Sequence, residues 1–147
     1  MAAIRLSLAS RRLAGILLLS LVGVEFGGRF MTTVVQGEVE LTEFQQSFFR
    51  AGHAHAGVLL VLGLVCLLYA DVANLRGPLG WVTRLGVPVA AIFMPAGFFL
   101  SALGEGATRA NGLIVLLYAG ALSLAAGVAS LGIGLLRPAD KLAATGS

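Results

Sequence analysis

Charge is what this sequence has least of. Only 12% of its 147 residues are Asp, Glu, Lys or Arg, about half the roughly 25% of a soluble domain, so a solvated surface on every side is excluded. Cysteine is nearly absent. Cys66 stands alone, which excludes a disulfide within the chain and any Cys-based metal motif, and it reads as packing. Histidine is confined to His53 and His55, and zinc wants three or four protein ligands, which two imidazoles and a few scattered carboxylates do not supply. Rows of charge and inverted repeats, the marks of a transporter, are also missing.

What is there is hydrocarbon. Hydrophobic residues make up 58% of the chain and the mean hydropathy is +0.94. A bilayer core about 30 Å thick needs ~20 apolar residues per helix. Four stretches qualify, at 13–35, 51–70, 85–103 and 112–136, separated by "QGEVELTEFQQ", "DVANLRGPLGW" and "GEGATRANG". The expectation is an all-α integral membrane four-helix bundle, one transmembrane domain over residues 1–147, multi-pass in the cell (inner) membrane. Arg11 and Arg12 ahead of "LAGILLLSLVG" resemble the start of a signal peptide. The run continues through Glu25 and Arg29 to Val35 without a small-residue cleavage site, so it reads as a retained helix.

Lys and Arg near helix ends set orientation, because they favour the cytoplasmic side. Arg5, Arg11, Arg12, Arg76, Arg84, Arg137 and Lys141 fall on one side. Arg50 and Arg109 fall on the other, with Glu38, Glu40, Glu43 and Glu105. Both termini are therefore expected in the cytoplasm. The pI near 9.8 records this asymmetry and points to no nucleic acid. With that topology His53 and His55 lie in the outer turns of the second helix. "MPAGFFL" (94–100), Glu25, Arg29 and Tyr118 reach similar depth, and the inner half is Leu, Val, Ala and Gly. That arrangement is one polar site, not a proton path.

Each polar group has a plain structural role to weigh. Glu25 and Arg29 are four apart on one helix face and can pair. Arg50 reads as an interfacial side chain with its stem along apolar surface. His53 and His55 point about 160° apart on a regular helix, so they cannot clamp one metal ion. One faces the site and the other faces a loop, a helix or another subunit. A single open-sided imidazole suits haem iron, while a hydrogen-bonded helix contact is the structural alternative.

Gly52 and Ala56 are four apart, as are Ala126, Ser130 and Gly134, the spacing of closely approaching membrane helices. Four short helices do not easily enclose a porphyrin in one copy, so a homo-oligomer with the cofactor between subunits is expected. Pro88 and Pro95 should bend the third helix and free carbonyls near Ala91.

The "RAGHAHAG" opening of the second helix, "AGFFLSALG" at the end of the third and the four-helix layout resemble the styrene oxide isomerase family, over about residues 13–137. The resemblance implies a membrane-embedded trimer with haem b between subunits. Ferric iron there acts as a Lewis acid that opens a small hydrophobic epoxide to an aldehyde by a 1,2-shift. The family's iron-ligating histidine falls on His55, whose face continues to Leu59, Leu62 and Cys66. Its substrate-assisting tyrosine falls on Phe99 and its asparagine on Val61, and neither side chain can replace the lost polar group.

His53, Tyr118, Asn111 and Glu25 are the candidates for a substitute. The implied cofactor-contacting set is His55 on the metal, with His53, Arg50, Phe98 and Phe99 around it. Three classes of function follow: a haem-dependent isomerase, a membrane haem b protein with a redox or sensing role, and a cofactor-free small transporter or complex anchor.

Overall fold

The protein is described by a computed structural model covering residues 6–137. Arg5 and Lys141, used above for orientation, lie outside the described residues. Four long helices and one short 3-10 turn account for most of the described residues, with no strand among them. They are α1 (Leu8–Val35), α2 (Glu43–Val72), α3 (Gly77–Ser101), the turn Gly112–Ile114, and α4 (Val115–Leu135). All four long helices, α4 counted with its leading turn, are long and apolar enough to cross a membrane.

The helix ends follow local chemistry. Ser7 Oγ accepts the Ser10 N–H at 3.2 Å and opens α1. At its other end Gly37, at φ 74, takes the left-handed conformation. Its N–H then donates to Val34 O at 3.2 Å and that of Glu38 to Thr33 O at 3.0 Å, the paired bonds that close a helix terminus. Thr42 and Gln45 form a capping box at the head of α2, which satisfies two backbone donors reciprocally. Pro78 sits in the first turn of α3, where its missing N–H costs nothing.

Three expected starts move, that of α1 by five residues, to Leu8. Both α2 and α3 begin eight residues earlier than hydropathy places them, at Glu43 and Gly77. The segment "EFQQSFF" is polar on average but amphipathic. Gln45, Phe49 and Gly52 are buried, and Phe44 and Phe48 are half-buried beside them. Arg84 consequently lies inside α3 rather than in a connector.

Consecutive helices run antiparallel. On the α1–α2 seam Phe30 meets Phe49 at one end, ring centroids 6.0 Å apart, and the Ser7 N–H donates to Asp71 Oδ2 at the other. On the α2–α3 seam Phe48 meets Phe98 at 5.5 Å, and far along it Arg84 Nη2 lies 2.7 Å from Asp71 Oδ1. Between α3 and α4, Gly97 packs on Leu117 and the Thr83 and Ser130 hydroxyls are 2.9 Å apart.

Gly86 and Gly127 bring the two backbones together, and a Cβ on Gly127 would lie 2.8 Å from Gly86 Cα. Leu17, Leu59, Leu60, Leu67, Ala90, Ala91 and Met94 form the main core. Against this, α1 leans on α2, touches α3 only slightly and does not meet α4.

Charge pairing differs from the sequence reading. Glu25 and Arg29 are both exposed and do not pair, and the one ion pair among the described residues is Arg84–Asp71. A four-residue spacing brings two side chains to one face, but long exposed side chains need not close on each other. Nor is the half expected to face inward purely apolar. Asp71, Arg84, Ser7 and Ser10 gather at one end, and Thr83 bonds Ser130 nearby.

Candidate functional site

The long α2 determines the depth of the histidines. His53 is ten residues past Glu43, about 15 Å along the helix at 1.5 Å per residue, so the pair lies about three turns from the helix start rather than at its head. Above it stands a cluster of phenylalanines. Phe44 and Phe48 centroids are 4.2 Å apart, Phe48 and Phe98 5.5 Å, and Phe49 and Phe99 5.5 Å. Gly52 is what admits α3 here, since a Cβ would lie 2.9 Å from the Phe99 ring.

The two imidazoles go to different neighbours, as their angular separation requires. His53 packs on α1, where a Cβ on Gly27 would sit 3.4 Å from Nδ1 and one on Gly28 3.5 Å from Nε2. It lines a cavity of about 400 Å³ between α1 and α3, together with Ser20, Ala56, Pro88, Ala91 and Phe99. The Ser20 hydroxyl is spent on its own Ile16 carbonyl, which leaves His53 as the cavity's polar side chain. On its other flank His53 shares a groove of about 490 Å³ with Glu25, Gly57 and Val61.

His55 faces Phe98, with ring centroids 4.9 Å apart. Its Nδ1 is 2.7 Å from the Ala51 carbonyl. A carbonyl can only accept, so Nδ1 carries a proton, and in the neutral ring the lone pair is on Nε2. His55 lines neither cavity that His53 lines.

The other candidates fall out unevenly. Asn111 caps the 3-10 turn: its Oδ1 accepts the Leu113 N–H at 2.9 Å and its Nδ2 donates to Leu100 O at 3.0 Å, so both polar ends are used. Tyr118 is exposed on α4 and lines neither His53 cavity. Glu25 and His53 are brought together, and so are His55 and Phe98. Arg50 is exposed at the head of an outward stripe of α2 formed by Ala54, Val58, Val61 and Val65.

Two further readings are corrected. Leu59 and Cys66, expected to line a cofactor below His55, are buried in the core at 4% and 7% exposure. Core packing claims them because α3 covers that face. In α4, Ser130 and Gly134 are buried but Ala126 is exposed, and Gly120 and Gly127 make the close approach to α3.

Sequence reasoning missed the Asp71–Arg84 pair, whose partners it placed in one connector. It also missed Gln45, which donates to the Ala102 and Gly104 carbonyls at 3.0 and 2.9 Å. The TxxQ spacing at Thr42–Gln45 was the available signal.

Among the described residues no three His, Cys, Asp or Glu side chains gather as a metal site. A multi-ligand metal centre is therefore not assembled by these residues, whereas a group needing one axial imidazole fits the free Nε2 of His55. The fold and site define a class: an all-helical chain with four helices of membrane-crossing length and one half-buried imidazole on each flank of α2. No family model matches the chain, and neither a curated protein nor a solved structure is similar to it. None of these comparisons links the chain to the styrene oxide isomerases that its short motifs resemble.

Proposed function

We propose that the chain is a multi-pass protein of the cell (inner) membrane that holds haem b through His55 and admits a small hydrophobic substrate. One observation carries this reading. The His55 Nδ1–H is held by the Ala51 carbonyl, the arrangement that fixes tautomer and orientation for an imidazole binding a metal through its other nitrogen.

When bound, ferric haem supplies a Lewis acid for an epoxide oxygen. The chain's own residues do the rest. The Phe98 ring, 4.9 Å away, limits rotation of the imidazole. The apolar cavity beside Phe99 excludes water from a hydrophobic guest. Glu25 and His53 line the same groove as Val61, where the family carries an asparagine, on the flank of α2 away from His55, so they hold the proton for a substrate oxygen only where a neighbouring copy brings its haem to that groove. Arg50, exposed on the outward stripe, is a partner for a propionate.

Because the stripe below His55 is filled by core packing, one copy does not wall a porphyrin. The reading therefore includes a homo-oligomer, of three copies by the resemblance. Both termini are cytoplasmic in it, since Arg11, Arg12, Arg76 and Arg137 crowd one end and Glu40 and Glu105 line a cleft at the other.

Phe99 packs its ring on Phe49 and offers no donor, an observation that favours a second reading: a haem b protein with a redox or sensing role. Purified protein from haem-supplemented cells should show a Soret band. His55→Ala should abolish the band, and His53→Ala should weaken or shift it with haem still bound. A wild-type protein without the band overturns the haem reading and leaves the cofactor-free transporter or anchor. Aldehyde formation from aryl epoxides separates the isomerase from the redox or sensing protein.

A further inference from the structure

Two concavities follow one another along the seam between α1 and α3. Near the start of α1, Leu8, Ala9, Arg12 and Leu13 face Trp81 of α3 around a space of about 430 Å³. Leu13 also lines the cavity of about 400 Å³ that ends at His53, so the two adjoin at that side chain and follow one seam as a single track. Its chemistry is graded: a guanidinium and an indole at one end, then Ile16, Leu17 and Leu85, then the open position at Gly23. We infer that this track binds an anionic phospholipid, with the phosphate on Arg12 and one acyl chain lying between α1 and α3.

Three observations support that occupant. Arg12 has no carboxylate within ion-pair distance among the described residues, whereas Arg84, one turn beyond Trp81, is held by Asp71. Arg12 is thus the cation of this seam with its charge to give, and arginine beside tryptophan is the side-chain pairing of a headgroup region. The length also fits. From Arg12 to Gly23 is eleven residues, about 17 Å, close to half of the roughly 30 Å hydrocarbon core. A chain from one leaflet ends where a Cβ on Gly23 would meet nothing within 4 Å. Finally, α1 and α3 scarcely touch, so the track opens sideways and a chain enters without parting a packed interface.

The inference rests on the membrane part of the reading above and not on haem. Trp81 is the single tryptophan of the chain, which makes its fluorescence a direct reporter. Full-length protein is reconstituted with lipids brominated on the acyl chain, carrying either phosphatidylglycerol or phosphatidylcholine headgroups, and quenching of Trp81 gives their relative association. Phosphatidylglycerol should be favoured about fivefold, the effect of one basic side chain near an anionic headgroup.

Arg12→Gln should bring that ratio to unity. Arg11→Gln, which changes a residue outside the track, should leave most of it. Equal quenching by the two lipids, or equal loss in the two variants, overturns the site while leaving the membrane reading standing. A brominated fatty acid that outcompetes phosphatidylglycerol overturns the phospholipid assignment. Absence of quenching by any brominated lipid overturns the membrane reading as well.

Discussion

Asp71 shows how much one carboxylate organises. It accepts the Ser7 backbone N–H at 2.8 Å through Oδ2 and the Arg84 guanidinium at 2.7 Å through Oδ1, so three helices meet on one side chain. The ion-paired side chains are 16% and 12% exposed. That places their coupling between an exposed pair, worth about 0–1 kcal/mol, and a buried one, where loss of a partner costs about 3–5 kcal/mol. Asp71→Ala should therefore destabilise by about 2 kcal/mol, because Arg84 loses its counter-charge in a shielded place. Asp71→Ala with Arg84→Met should recover part of that loss, since no unpaired charge remains. Thermal melts in detergent of both variants check this, and equal melting of the single and double variants would contradict it. Gly52 makes a second point at this scale. Its missing side chain lets the Phe99 ring reach α2, so Gly52→Val should push α3 away and, on the proposed haem reading, lower the Soret intensity without touching either imidazole.

At the scale of the element, the glycine pair of α3 and α4 invites a matched test. A leucine at Gly127 has nowhere to go, because Gly86 Cα would lie 2.8 Å from its Cβ. Overpacking of this kind costs roughly 1–3 kcal/mol. Gly132 lies on the same helix with nothing within 4 Å of its Cβ, so Gly132→Leu should leave the melting temperature nearly unchanged while Gly127→Leu lowers it by several degrees.

The existence and number of the helices were legible in the sequence, because ~20-residue apolar runs have few other uses. Their starts were not. Hydropathy falls at Gln45 and Arg84, yet a capping box and a first-turn proline carry α2 and α3 two turns further. The angular split of His53 and His55 was legible from helical geometry alone. Which cavity each would meet was not, since that depends on Gly27 and Gly28 lying opposite His53. The filling of the Leu59–Cys66 stripe depends likewise on Ala91, Met94 and Val87 in α3, which no pattern within α2 reveals.

At the scale of the molecule, the antiparallel order puts the two kinds of loop at opposite ends. With Cys66 replaced by alanine, a cysteine at Glu105 should react with a membrane-impermeant maleimide on intact cells, and one at Arg137 only after permeabilisation. The reverse pattern would invert the topology. A homo-oligomer should persist in mild detergent as a particle of about three chains, and a haem-loaded monomer would contradict it.

The thin attachment of α1 has a consequence for synthesis and assembly. Only Ser10, Leu17, Met31 and Val34 of its 28 residues are buried, whereas α2, α3 and α4 interlock through glycines and hydroxyls. The chain is therefore divisible. Cut in the exposed loop at Gly37 and produced as two polypeptides, the three-helix piece should insert and fold unaided. The first helix should join it afterwards as a separate strip, closing the seam with α3 only on arrival.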